Sequence, residues 1–321
     1  MQQELRETVK KLLRDKEVSL VIGWGRGSLP MTATPIFVKN ESDANNLIFN
    51  LSCRNNLTTY LTKDRKKIIK DSKKVGIIVK GCDARSLVLC IIEKQFKREN
   101  LVIIGVPCEG VIEKKKLLKM VEGKEILECQ IVGDGIIVKG RDFNLSLLKQ
   151  DVLSDSCLNC QYPDALEFDF FIGKPSKEVK TKDEFGVVDD FEKLSPDERW
   201  NYIKEEYSKC IRCYACRNVC PSCYCDICFV DQNDPQWIGK SPEFTDTLIF
   251  HLIRNLHVAG RCVDCGACVS ACPMGIDLRI LNKKVEKEIK RRFNYTAGLD
   301  MKEKPVMANY DENEKQDFIM G

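Results

Sequence analysis

The sequence predicts an α/β N-terminal domain with a small parallel or mixed sheet, spanning residues 1–175, and a second, mostly α-helical domain over residues 195–295. Three observations predict it. A strand–turn–helix–strand–turn succession occupies "VGIIVKGCDARSLVLCIIEKQFKRENLVIIGVPCEGV"; helical periodicity replaces it after residue 195; and two short, dense cysteine runs interrupt those later helices. Residues 176–194 read as a linker and residues 296–321 as an extended tail.

In chain order, "VSLVIG" and "PIFVK" are short strands. The next two apolar strands each end at a cysteine and are joined by a helix. This βαβ unit puts Cys82 and Cys108 at the carboxyl edge of a parallel sheet, where α/β folds place their chemistry. The later "DSCLNCQYPDALEFDFFIG" adds Cys157 and Cys160 before a turn and another strand. Two edge cysteines and one C-x2-C pair make a four-thiolate set. "GWGRGS" carries Gly23, Gly25 and Gly27 after a strand. It reads as a plain turn, with a flavin or nucleotide phosphate contact as the other reading, although it is not a GxGxxG.

In the second half, "SPDERWNYIKEEY" opens with a capping box from Ser195 to Glu198, and Trp200, Ile203 and Tyr207 share a face. "SPEFTDTLIFHLIRNLHVAG" starts a helix at Ser241–Pro242, stops it at Gly260 and places Leu248, Ile249, Leu252 and Leu256 at helical spacing. Leu278, Leu281, Val285 and Ile289 make a third stripe. The basic run "NKKVEKEIKRRF" reads as a solvated helix face, with a docking surface for an acidic partner as the alternative.

Between these helices, Cys210, Cys213, Cys216 and Cys220 followed by Pro221 spell C-x2-C-x2-C-x3-C-P, and Cys262, Cys265, Cys268 and Cys272 followed by Pro273 repeat it. Three thiolates from one tight loop cap three corners of an iron-sulfur cube, and the fourth cysteine reaches a second cube. The sets therefore cross. Cys210, Cys213, Cys216 and Cys272 hold one [4Fe-4S] cluster; Cys262, Cys265, Cys268 and Cys220 hold another; Cys82, Cys108, Cys157 and Cys160 make a third. Structural zinc is the competing reading, but zinc sites use paired knuckles across a long spacer. Cys223, Cys225 and Cys228 remain for packing or for a further metal role, and Cys53, Cys90 and Cys129 for burial. His251 and His257 read as packing or hydrogen-bonding groups near a cluster.

Eighteen cysteines in 321 residues, with a charged N-terminus and no apolar run near the roughly 20 residues of a membrane span, point to an intracellular, cytoplasmic metalloprotein. The formal charge of +3 falls to about −3 if twelve thiolates surround three cubes of about −2 each, which removes electrostatic support for nucleic acid.

The helical half resembles the α-helical ferredoxin domains of heterodisulfide reductase and succinate dehydrogenase iron-sulfur subunits. The succession "VKGCDARSL", "IIGVPCEG" and "CLNCQYPDALEFDFFIG" resembles the beta-subunit family of coenzyme F-420 (deazaflavin)-reducing hydrogenases and formate dehydrogenases. In that family a cysteine after each of two core strands and a later C-x-x-C hold one [4Fe-4S] cluster beside a flavin, so Cys82, Cys108, Cys157 and Cys160 inherit ligand roles. The family's glycine-rich flavin-binding section has no good counterpart here.

The resemblance implies an electron-transfer subunit of a cytosolic, anaerobic redox complex, non-catalytic in itself. Its partners would be a hydrogenase, a formate dehydrogenase or a heterodisulfide-reductase-like flavoprotein, including electron-bifurcating assemblies. The alternative is an FAD-containing subunit that exchanges hydride with a deazaflavin.

Overall fold

A computed structural model describes residues 1–62, 67–70, 74–176 and 183–308. Parts of the expected linker (177–182) and tail (309–321) lie outside the described residues.

The N-terminal half is α/β, as expected. Helix α1 (Gln2–Arg14) precedes β1 (Leu20–Arg26), β2 (Ala33–Val38) and β3 (Leu47–Ile48). A single turn, α2 (Lys67–Lys70), leads to β4 (Val75–Val79), α3 (Gly81–Ile92) and β5 (Leu101–Gly105). With the later β9 (Phe170–Phe171) these strands form a mixed six-stranded sheet of order β2-β1-β4-β5-β9, with β3 paired to β1. β1, β4, β5 and β9 run parallel, and β2 and β3 are antiparallel to β1. Every residue of β4 and β5 is buried, which is why both read as unbroken apolar runs. Leu5, Val9 and Leu12 of α1 and Ala84 and Leu87 of α3 close the sheet's core.

Gly23 and Gly25 lie inside β1 and not in a turn. A Cβ at Gly23 would meet Leu47 and Ile78, and one at Gly25 would meet Ile36 at 2.8 Å. Their missing side chains admit sheet neighbours, and the space a phosphate contact needs above them is filled. Gly27 follows the strand, packed against Thr32.

Residues 107–158, to which the sequence reading gives only cysteine positions, build a second unit. Helix α4 (Lys114–Met120) is followed by β6 (Glu128–Val132), β7 (Gly135–Lys139) and β8 (Asn144–Leu148), an antiparallel three-stranded sheet. Gly133-Asp134 turns the first hairpin, with Gly133 at φ +57°. Ile136 and Val138 pack beneath it on Leu117, Val121 and Val152. Two single turns, α5 (Lys149–Val152) and α6 (Asp155–Leu158), bring the chain back to the main sheet.

The C-terminal half is helical: α7 (Gly186–Lys193), α8 (Pro196–Ser208), α9 (Ala215–Asn218), α10 (Phe244–His257), α11 (Ala267–Ala271) and α12 (Arg279–Phe293). The α8 capping box forms as read: Ser195 Oγ accepts from Glu198 N and Glu198 accepts from Ser195 N. Ile203 and Tyr207 are buried on α8, whereas Trp200 is half exposed against Phe244. Helix α10 begins at Phe244 rather than at Ser241–Pro242, and ends before Gly260 at φ +67°.

Its buried face is not the expected one. Thr247, Phe250, His251, Arg254 and Asn255 face inward, while Ile249, Leu252 and Leu256 are exposed. Helix α12 buries Arg279, Ile280, Asn282, Lys283 and Glu286; of the expected stripe Leu278 is buried at its start, and Leu281, Val285 and Ile289 are only partly covered. The basic run on α12 is only partly solvated: Lys284, Lys287 and Lys290 form ion pairs with Glu192 and Asp189 of α7 and with Glu184 just before it, while Arg291 and Arg292 are exposed.

Several contacts join the halves. Arg261 meets Glu93 at 2.7 Å, Ser270 Oγ donates to Glu113 at 2.8 Å, and Leu89 packs with Val263, Tyr295 and Ala297. Gly81, the first residue of α3, donates its N–H to Pro163 O, and a Cβ there would fall on the carbonyl of Tyr162. Gly81→Ala is expected to cost about 1–3 kcal/mol, because backbone cannot swing aside as a side chain can. A melting temperature equal to the parent's would show that residues 162–164 yield freely.

Candidate metal centres

The two cysteine runs fold into the same backbone loop. Arg212 and Tyr214 have φ of 52° and 58°, and their counterparts Asp264 and Gly266 have φ of 51° and 70°. Three of these four are not glycine, so the left-handed turns must be imposed by their surroundings. Arg212 is locked by bonds of 2.7 Å to Gly239 O and Ser241 O, and Asp264 by a two-point pair with Arg279, both bonds 2.7 Å. Such a loop turns its thiols and its N–H groups toward one side. Arg212 N–H points at Cys210 Sγ, and Asp264 and Ala267 N–H stand in the same relation to Cys262 and Cys265. Cys108 receives Gly110 N–H at 3.4 Å, Cys157 receives Val111 N–H at 3.3 Å, and Cys160 receives that of Tyr162.

Which thiols face one another follows from the electrostatics of the fold. Cys210 is raised by burial and then by Cys272 and Cys213, while Cys216 is pushed to about 12 by burial with Cys268 and Cys210 as neighbours. Cys265, also pushed to about 12 by burial, feels Cys220 and Cys268; Cys268 feels Cys220, and Cys262 feels Cys268. The fourth cysteine of each run thus lies with the other run's loop. Helices α9 and α11 make this exchange by ending both loops side by side.

Among the N-terminal four, Cys108 has Cys82, Cys157 and Cys160 as neighbours. Cys82 is in the first turn of α3, off the carboxyl end of β4, and Cys108 follows β5. Burial and then Cys157 raise Cys108, which also feels Cys160; burial and then Asp83 raise Cys82. Lys80 anchors that turn, with its ammonium 2.9 Å from Asp83 and 4.1 Å from the Trp24 ring centroid.

Cys82 packs beside Cys265 in one apolar cluster, and Cys216 neighbours Cys268. The N-terminal thiols thus adjoin the Cys262 loop, and the Cys262 loop adjoins the Cys210 loop. Gly266 permits the first junction, since a Cβ there would collide with Ser156 Oγ beside Cys157. At the far end Cys213 is exposed, flanked by the exposed Ile211 and Met274.

These residues fit iron-sulfur ligation. Buried thiols resist ionising alone, because burial disfavours the thiolate, and a polynuclear cation supplies the missing positive charge and displaces the protons. N–H groups aimed at sulfur are the hydrogen bonds that tune such clusters. Among the described residues no three His, Cys, Asp or Glu side chains converge on one point as ligands of a single ion would.

The remaining sulfurs scatter. Cys225 is exposed, Cys228 contacts Arg217, and Cys223 lies near Arg254. Cys53 and Cys90 are buried and Cys129 is half-buried. His251 stacks on Tyr207 at 4.3 Å, and burial followed by Arg254 and Arg212 lowers it to about 3, leaving a neutral ring; His257 meets Phe229 edge-on. Charges that periodicity did not flag, Arg85, Arg254 and the Asp264–Arg279 pair, lie deepest among the sets; polar residues at core positions of α3, α10 and α12 were the available signal.

No protein-family model matches the chain. Among solved structures it is similar to a chain of the F420-reducing [NiFe] hydrogenase complex from Methanosarcina barkeri, at 15% identity and a TM-score of 0.40, covering 64% of this chain and 86% of that one. Among curated proteins it is 25% identical to the F420-dependent formate dehydrogenase subunit beta of Methanocaldococcus jannaschii, over 91% of this chain and 90% of the relative. It is also 25% identical to the F420-dependent formate dehydrogenase 1 subunit beta of Methanococcus maripaludis, over 93% and 91%. The resemblance carried by "VKGCDARSL", "IIGVPCEG" and "CLNCQYPDALEFDFFIG" is thus borne out, and along nine-tenths of its length this chain is similar to the beta subunits of F420-dependent formate dehydrogenases.

Proposed function

We propose that the chain is an iron-sulfur electron-transfer subunit of a multisubunit redox complex of the formate dehydrogenase or hydrogenase kind. The observation that supports this reading is the run of neighbouring cysteines, Cys82 beside Cys265 and Cys268 beside Cys216, from the sheet edge toward the exposed Cys213. Cys82, Cys108, Cys157 and Cys160 would hold the innermost [4Fe-4S] cluster, Cys262, Cys265, Cys268 and Cys220 the middle one, and Cys210, Cys213, Cys216 and Cys272 the outermost. Clusters of this type accept and release single electrons at potentials set by charge, hydrogen bonds and exposure.

The chain's own residues do the rest. Residues 1–175 present the inner set from a rigid parallel sheet edge, and residues 195–295 supply the other two from paired loops. Ile211 and Met274 surround the outer set with an apolar rim that a partner subunit can cover. Among the described residues no helix is long and apolar enough to cross a membrane. The curated relatives bear the names of complex subunits, which supports a partner that carries the catalytic chemistry.

Iron and acid-labile sulfide in the anaerobically purified chain should each come to about twelve per chain. A value near eight would remove the inner set. Flavin released into the supernatant on acid precipitation would instead make this subunit an FAD-dependent one exchanging hydride with a deazaflavin.

A further inference from the structure

Among the described residues four arginines are buried: Arg279 meets a carboxylate at 2.7 Å and Arg212 one at 3.9 Å. Among the described residues Arg85 and Arg254 meet none, though they are only 6% and 5% exposed. Each keeps a buried nitrogen without a hydrogen-bond acceptor, Nη2 of Arg85 and Nε of Arg254. An uncompensated interior cation is strongly disfavoured unless some other negative charge faces it.

Their places are specific. Arg85 lies one helical turn beyond Cys82 on α3, over the Tyr162 ring, and donates to Val263 O, between Cys262 and Cys265, and to Ala297 O. It also faces Cys160, and Glu286, the carboxylate on its other side, is bonded to Lys283 at 3.2 Å. It therefore spans the inner and middle sets. Arg254 on α10 donates to Cys216 O at 3.4 Å and has Cys268, Cys220, Cys223 and Cys216 as its charged neighbours. That places it between the middle and outer sets.

We propose that Arg85 and Arg254 are the fixed cations of the two gaps, each stabilising the reduced state of the pair of clusters it separates. This rests on the three-cluster reading. Each transfer moves one electron across a gap: the donor cube loses one negative charge, the acceptor gains one, and no bond forms or breaks. A cation held in the gap favours the added charge on either side and so raises the midpoints of both neighbouring clusters.

The test is a redox titration of the holo-chain followed by electron paramagnetic resonance, on Arg85→Gln, Arg254→Gln and the corresponding lysine variants. Arg254→Gln should lower the midpoints of the middle and outer clusters by at least a tenfold change in the reduced-to-oxidised ratio, about 59 mV for one electron, and leave the inner one in place. Arg85→Gln should lower the inner and middle midpoints and leave the outer one. The lysine variants should stay near the parent. Unmoved midpoints at full iron content, or equal movement of all three in both variants, would overturn the proposal. Where a glutamine variant loads less than full iron, the methionine variant, which keeps the packed stem, is read by the same two outcomes. A parent chain that lacks the middle and outer signals would overturn the cluster reading, and this proposal with it.

Discussion

Replacing Cys157 and Cys160 together by serine is expected to remove one cluster of three, so that iron falls from about twelve to about eight per chain. The two residues reach the sheet edge only because α5 and α6 fold back there, with Ser154 N–H bonded to Val111 O and Glu113 N–H to Val152 O. Cys157 then accepts from Val111, so the returning turn and the segment after β5 hold each other. Without these thiols Cys82 and Cys108 supply two ligands, too few for a cube. The signals of the two helical sets should persist and exchange electrons with a dye, while transfer at the sheet-edge end of the chain is lost. Full iron content with intact transfer to every partner would show that these four cysteines are not a cluster site.

Cys220→Ser should damage the cluster that Cys262→Ser, Cys265→Ser and Cys268→Ser damage, and Cys272→Ser the one held by Cys210, Cys213 and Cys216. Sequence proximity would give the opposite grouping. The crossed result is expected because each run closes with a proline, and α9 and α11 pack side by side so that each last cysteine lies against the opposite loop. Cys220 is the neighbour felt by both Cys265 and Cys268, and Cys272 by Cys210. Each single replacement should reduce or convert one cluster signal and leave two. Spectra that group Cys220 with Cys210 would overturn the crossing.

The sheet-edge unit was legible because its strands are buried on both faces. An all-apolar run such as Val75–Val79 or Leu101–Gly105 needs no knowledge of neighbours to be recognised, and the cysteines that follow these strands come to lie at the sheet edge by topology alone. The Ser195–Glu198 capping box was legible for a similar reason, since every partner is within four residues. The β6–β8 sheet was harder to read. Its strands are half exposed and mix polar with apolar residues, so only the turn at Gly133 marks it.

Helix α10 shows where periodicity gives the wrong answer. Reading Leu248, Ile249, Leu252 and Leu256 as the buried stripe assumes that the core is hydrocarbon. Three of these four are exposed, and Thr247, Phe250, His251, Arg254 and Asn255 are buried instead, with Arg254 beside the cysteine loops. Helix α12 does the same with Arg279, Lys283 and Glu286 around Asp264.

By itself the sequence determined the number and spacing of the cysteines, the βαβ unit that carries two of them and the resemblance to formate dehydrogenase beta subunits, because all three are written in local patterns. Tertiary structure alone decided which cysteine loops adjoin, the face that each helix turns inward and the burial of Arg85 and Arg254 beside those loops. Those depend on charges brought together from positions as distant as Arg85 and Val263, and a buried cation is tolerated only where the folded chain has gathered something negative to face it.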